Sequence, residues 1–320
     1  MIIRSWSQKL DEAQAMCSIE NLIAHDFIPN PHDMMENWSL RNQDCYHDKL
    51  VAEIDGQIVG CIHIGQGRKE NSHISFFDLF VHPQFQHEGV GTAMYNEFIS
   101  KSKSLGCTKI NSLIYDHPNW ASGKSFFEKH KFEHISTNRE YSLDLQKAEF
   151  SQYEKLLLEV LDKGFLFVEP VKDGLNSDLH YQKLEEMRWS YFQDMPYPEG
   201  ITPTRGNYDL WLKEHKLFEK KHYGIELLIL NQDGDYVGCT KLVADSSEPE
   251  KCWTSNLGVI KKYRRQKLAT ALKIEALTRL QKNGFTEIRT DNEENNPMYK
   301  INVDVGFQPE PFSLEYMKVL

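Results

Sequence analysis

The chain has 320 residues, 40 % hydrophobic and 26 % charged, with no apolar run long enough to cross a bilayer. Such a length predicts about two domains, each able to bury a core of its own. A formal net charge of −10 excludes a general nucleic-acid binder, which gains affinity by neutralising phosphates with surplus Lys and Arg.

Met1 to Arg4 reads as a strand start without the basic and apolar pattern of a secretory signal, so a cytoplasmic protein is expected. A helix follows over about Leu10 to Ala24 and ends in a loop carrying Pro29 and Pro31. A hairpin then turns at Asp55-Gly56, and "HISFFDLFV" forms an aromatic-rich strand that stops at Pro83. From Val90 the residues Val90, Met94, Phe98 and Ile99 follow helical spacing up to Gly106. "TKINSLIY" is the next strand, Ala121 to Lys129 a short helix, and "FEHISTNREYSLDL" a closing strand. Lys147 to Lys163 has the spacing of a connecting helix, after which "GFLFVEP" restarts the strands. A helix with Tyr181, Leu184, Met187 and Trp189, a loop from Pro196 to Pro203, a second hairpin near Asp233-Gly234 and a last strand over Leu314 to Leu320 complete the chain.

Two stretches of this series repeat. Val81, Gly89, Thr92, Ala93, Gly106 and Ile110 are matched by Val259, Lys267, Thr270, Ala271, Gly284 and Ile288, each pair 178 residues apart (259−81). The Gly60-Cys61 and Gly238-Cys239 pairs keep the same spacing. The expected fold is therefore α/β, two copies of one mixed central sheet flanked by helices, with domains at 1–145 and 164–320 and a connecting helix at 146–163.

The repeated piece contains the turn best suited to a phosphate. Gln86-x-x-Gly89-x-Gly91 lies between a strand and a helix, where glycines admit an anion to unpaired helix N–H groups. The second copy reads Arg264, Lys267 and Ala269 at these positions. Lysine in place of the central glycine leaves two readings open, a crowded diphosphate or a cation supplied at the same spot.

These residues resemble the GNAT acyltransferase superfamily, whose cofactor loop has the pattern Gln/Arg-x-x-Gly-x-Gly/Ala after a strand ending Val-x-Pro. The resemblance covers nearly the whole chain, twice, and is similar to the tandem GNAT group that includes mycothiol synthase, where the C-terminal copy is the active one. It implies acetyl-CoA as acyl donor, with its diphosphate on the amides of His87, Glu88, Gly89, Val90, Gly91 and Thr92 and its pantetheine arm along Leu79 and Val81. Asn119 fits the cofactor-contacting asparagine, and Phe132 the closing aromatic, with Lys131 where glycine is usual. In the second copy the implied contacts are Val259, Arg264, Arg265, Gln266, Lys267, Leu268, Ala269, Thr270 and Asn296; Asn296, Pro297, Met298, Asn302, Gly306 and Phe307 carry the likeness of its ending. Asn119 and Asn296 equally suit helix capping.

Acyl transfer to an amine needs a base for the amine proton and an acid for the departing thiolate. Asp78 is the candidate base, because it precedes Val81 on the central strand among Phe76, Phe77, Leu79 and Phe80, and burial there raises a carboxyl pKa. In many relatives a tyrosine stands five residues before the closing Phe; here Phe127 and Asn302 hold those positions, which leaves Tyr299 as the candidate acid. No metal site is expected, since His130 and His134 lack a third ligand and the six cysteines show no CxxC spacing.

The activity expected is transfer of an acyl group, acetyl by default, from CoA to a small-molecule or peptide amine, with neither nucleic acid nor membrane as partner. The missing tyrosines and glycines favour the alternative, an acyl-CoA binder or sensor without turnover. A dinucleotide oxidoreductase is disfavoured, because its glycine turn belongs directly after a first strand.

Overall fold

The computed structural model describes residues 1–24, 29–221, 223–296 and 298–320. Pro297 lies outside the described residues. In chain order the elements are β1 (Ile2–Ser5), α1 (Leu10–Asn21), α2 (Pro31–Leu40), β2 (His47–Ile54), β3 (Gln57–Gln66), β4 (Ile74–Val81), α3 (Val90–Ser104), β5 (Lys109–Tyr115), α4 (Ala121–Lys129) and β6 (Glu133–Asp144). The series continues with α5 (Glu154–Asp162), β7 (Leu166–Val168), α6 (Asp178–Phe192), α7 (Tyr208–Lys221), β8 (Gly224–Leu230), β9 (Tyr236–Ala244), β10 (Lys251–Val259), α8 (Leu268–Lys282), β11 (Glu287–Glu293), α9 (Tyr299–Val305), β12 (Gln308–Pro309) and β13 (Ser313–Val319).

The chain forms two compact units, and they are not contiguous segments. The first holds residues 1–138, 198–204 and 311–320; the second holds 139–197 and 205–310. The division thus departs from the expected 1–145, 146–163 and 164–320 in the middle of β6, at the 198–204 loop and at the C-terminus. The last strand is the larger departure: β13 lies between β5 and β6, antiparallel to both, within the first unit. Its Tyr316 packs in the first unit's core beside Phe127.

In the first unit the strands run β1-β2-β3-β4-β5-β13-β6. Helix α3 buries Val90, Met94 and Phe98 against Ile62, Phe77 and Ile110 on one face, and α1 buries Ala13 and Met16 against Val51 and Cys61 on the other. Cys61 and Ile62 face opposite ways because strand side chains alternate. In the second unit β6 is followed by β11, β10, β9, β8 and β7. There α8 covers Leu227 and Ile229, while α6 covers Leu228 and Cys239.

One helix lies where the sequence shows a loop signal. Pro31 does not prolong a loop; it is the first residue of α2, whose Asn30 cap accepts the His32 N–H at 2.9 Å. The connecting helix α5 starts at Glu154, later than expected, and α7 follows the proline loop.

The lysines that replace expected glycines leave the backbone unchanged. Lys267 has φ 60° where Gly89 has 89°, and Lys131 has φ 59° where Gly306 has 104°. Both lysines thus hold a left-handed conformation that costs an L-residue about 1 kcal/mol.

Candidate active site

Strand β4 pairs with β3 along its length but with β5 only through Ile74, Ser75 and Phe76, opposite Lys109, Ile110 and Asn111. Beyond that point the two parallel strands separate. Ser112 Oγ donates to the Phe77 carbonyl at 2.7 Å, which satisfies a backbone acceptor at the fork. A cleft of about 360 Å³ extends from the fork to the start of α3, lined by both strands, the loop ahead of α3 and α4.

At its outer end the cleft meets bare amides. His87 and Gly89 both have positive φ, so the loop curls ahead of α3. A Cβ built on Gly89 meets nothing within 4 Å, and no side chain caps the helix. The Ala93 N–H donates to the Gly89 carbonyl at 2.9 Å, which leaves the N–H groups of Val90, Gly91 and Thr92 without an intrahelical acceptor. With the helix dipole behind them, these groups favour a negative charge at this end of the cleft.

Of the residues expected to bind cofactor, Leu79, Val81, Gln86, His87, Gly89, Gly91, Thr92 and Asn119 line this one cleft together with Asp78. Val90 instead turns its side chain into the core, and Glu88 is exposed. Gln86 also braces the loop, because its Nε2 donates to the Val81 carbonyl at 3.0 Å and ties the turn to the end of β4. Capping ahead of α4 falls to His117, whose Nδ1 accepts the Asn119 N–H at 3.2 Å. The Asn119 side chain faces the cleft instead, its Nδ2 donating to the Ile23 carbonyl at 3.3 Å.

At the inner end stands Asp78. It is exposed to the cleft, yet protein crowds its carboxyl on the remaining sides. Burial raises its pKa, Glu20 adds to the rise, and His63 and Lys49 oppose it; water entering through the cleft tempers the effect. Phe127 and Ile114 complete an apolar floor that supplies no proton donor.

The second unit repeats the loop. Arg265 and Lys267 take the positive φ values, α8 has no side-chain cap, and Arg264 Nε donates to the Val259 carbonyl at 2.9 Å as Gln86 does to Val81. Strands β10 and β11 also separate, after Trp253 and Arg289. Ser255 forms a bulge there that β4 lacks. Asn256 holds the place of Asp78, and Tyr191 covers it: the phenol lies 3.1 Å from Asn256 Oδ1, and its ring packs so close to Gly258 that a Cβ there would collide with it.

Homology agrees with this geometry. The pattern described as the Acetyltransferase (GNAT) family matches residues 14–132 and 181–302. The chain belongs to this GNAT family. An acetyltransferase from Pectobacterium atrosepticum is 28 % identical over 110 residues, 32 % of this chain and 74 % of that protein. Two solved structures share the fold, each at 16 % identity. A tandem GNAT protein from the clavulanic acid biosynthesis pathway superposes with a TM-score of 0.77, covering 99 % of this chain and 98 % of its own. A GCN5-related N-acetyltransferase from Sphaerobacter thermophilus gives 0.70, with 99 % and 95 % covered.

Within this GNAT chain the remaining candidates are dispersed. Tyr299 packs against the core of the second unit at the start of α9, and Asn296 Oδ1 accepts the Met298 N–H at 3.0 Å ahead of that helix. The polar group buried nearest the tyrosine position is Lys273, bonded to Asn302, which in turn donates to Asn292 Oδ1 at 2.7 Å. His130 packs at a tilt against Phe126 while His134 meets Thr137, so they form no pair. Glu20, Cys61 and His63 do bring potential ligand atoms within 4.8 Å of one another. Burial and Glu20 push the Cys61 thiol well up, and the half-buried Lys49 ammonium acts on the same groups, which fits a proton-bearing cluster better than a divalent ion. Among the described residues no helix is long and apolar enough to cross a membrane.

Sequence reasoning missed Glu20, His63, Tyr191 and Lys273. The signal for His63 lay in the repeat, since Lys241 stands opposite Asn256 where His63 stands opposite Asp78.

Proposed function

We propose that the first unit transfers an acetyl group from acetyl-CoA to a primary amine of a small molecule or peptide, and that the second unit is not catalytic. One contrast carries this reading: Asp78 opens onto a cleft that begins at bare amides, whereas Asn256 lies beneath Tyr191.

The amides of residues 87–92 would hold the diphosphate, and the fork between β4 and β5 would admit the thioester. Asp78 takes a proton from the arriving ammonium, the neutral nitrogen attacks the thioester carbonyl, and the carbon–sulfur bond breaks. Phe127 donates nothing, so the second proton on the attacking nitrogen is relayed by water in the cleft to the departing thiolate. The loop of the second unit keeps an anion-binding conformation, which suits holding a carrier without turnover.

The test is thiol release from acetyl-CoA against a panel of amines. The parent protein should release thiol only when an acceptor is present. Asp78→Asn should lower kcat about a hundredfold or more while CoA affinity is unchanged. Tight CoA binding with no acceptor-dependent release from the parent would instead support a sensor, the reading that Phe127 favours.

A further inference from the structure

Behind Asp78 lies a line of polar side chains that the acyl-transfer step does not use. The register of β2, β3 and β4 places Lys49 opposite His63 and His63 opposite Asp78. Directly opposed residues share one sheet face, so the three groups form a row. Helix α1 lays the buried Glu20 over this row, with Oε1 3.0 Å from His63 Nε2; the Cys61 thiol donates to the same oxygen at 3.8 Å. The Cys17 thiol, also on α1, and Lys49 both interact electrostatically with Glu20, and Lys49 acts on Asp78 as well.

We propose that Glu20 and His63 form a dyad that positions and resets Asp78, a role that rests on Asp78 being the base. An Asp78 that takes a proton in every turnover must lose it before the next. The imidazole opposite accepts that proton on one nitrogen, the Glu20 carboxylate stabilises the resulting imidazolium, and the proton leaves to water across the part-exposed edge of His63. His63 touches no substrate and is a positioning residue. The second unit keeps an acid–histidine pair but moves it: its corresponding row is Glu226, Lys241 and Asn256, and His215 of α7 lies 3.1 Å from Glu226, at the end of the row away from Asn256.

Two readouts test this. In the free protein, the Asp78 carboxyl is titrated by carbon-13 NMR with labelled aspartate. Its midpoint should move up in His63→Gln, which removes a group that lowers it, and down in Glu20→Gln, which removes one that raises it. In turnover, both variants should lose about tenfold or more in kcat, with KM for acetyl-CoA unchanged and the acidic limb of the pH profile displaced in the same directions. A midpoint and a pH profile unmoved in both variants would overturn the dyad. If the midpoint moves while Asp78→Asn retains full turnover, the base assignment fails and the coupling stands. CoA affinity reports folding, and His63→Asn replaces any variant that loses it.

Discussion

Lys273 marks a difference between the cores of the two units. It sits on α8 where α3 carries Tyr95, fully enclosed, with Asn302 and the Phe307 ring as neighbours. Burial alone lowers its pKa, to about 7. Because the unfolded chain keeps the ordinary value near 10.5, it binds more protons than the folded chain between pH 7 and 10.5, and folding stability gains as pH rises through that window. Below pH 7 the full cost of burying the ammonium remains. Lys273→Met should therefore be more stable than the parent at pH 6, by about 1–3 kcal/mol after losing the bond to Asn302. The gap should narrow steadily towards pH 10 in urea unfolding. A gap independent of pH would show that the amine is not buried as described.

Among elements, β13 carries the clearest consequence. Its seven residues follow the second unit in sequence and fill the space between β5 and β6 in the first. A chain ending at Glu310 should therefore lose CoA binding by the first unit and its share of the unfolding transition, followed by calorimetry. Retained binding would mean that β5 holds its place without β13. Strand exchange of this kind is invisible to local pattern, because "SLEYMKV" reads as a half-buried strand whichever sheet it joins. The strand, turn and helix around Gly89 were legible, since apolar periodicity and left-handed turn positions are local properties. Helix α2 was not: Pro31 ends one element or begins another, and the Asn30 cap decides which. The bulge at Ser255 was hidden too, because loop lengths absorb the extra residue and the 178-residue spacing survives on both sides.

At the scale of the molecule, the two copies keep the same loop geometry and differ in what surrounds Asp78 and Asn256. Both loops share left-handed positions, an uncapped helix and a side chain tied to the strand end, which is why the family pattern matches twice. The site residues beyond those loops were less legible, because cross-strand neighbours such as His63 and Asp78 are distant in sequence and meet only through register. The most direct measurement is a crystal structure of the CoA complex. The account predicts the diphosphate on the amides of residues 87–92 and the sulfur in the fork between β4 and β5, beside Asp78. A sulfur bound only beside Asn256, with Tyr191 displaced and the first cleft empty, would contradict it.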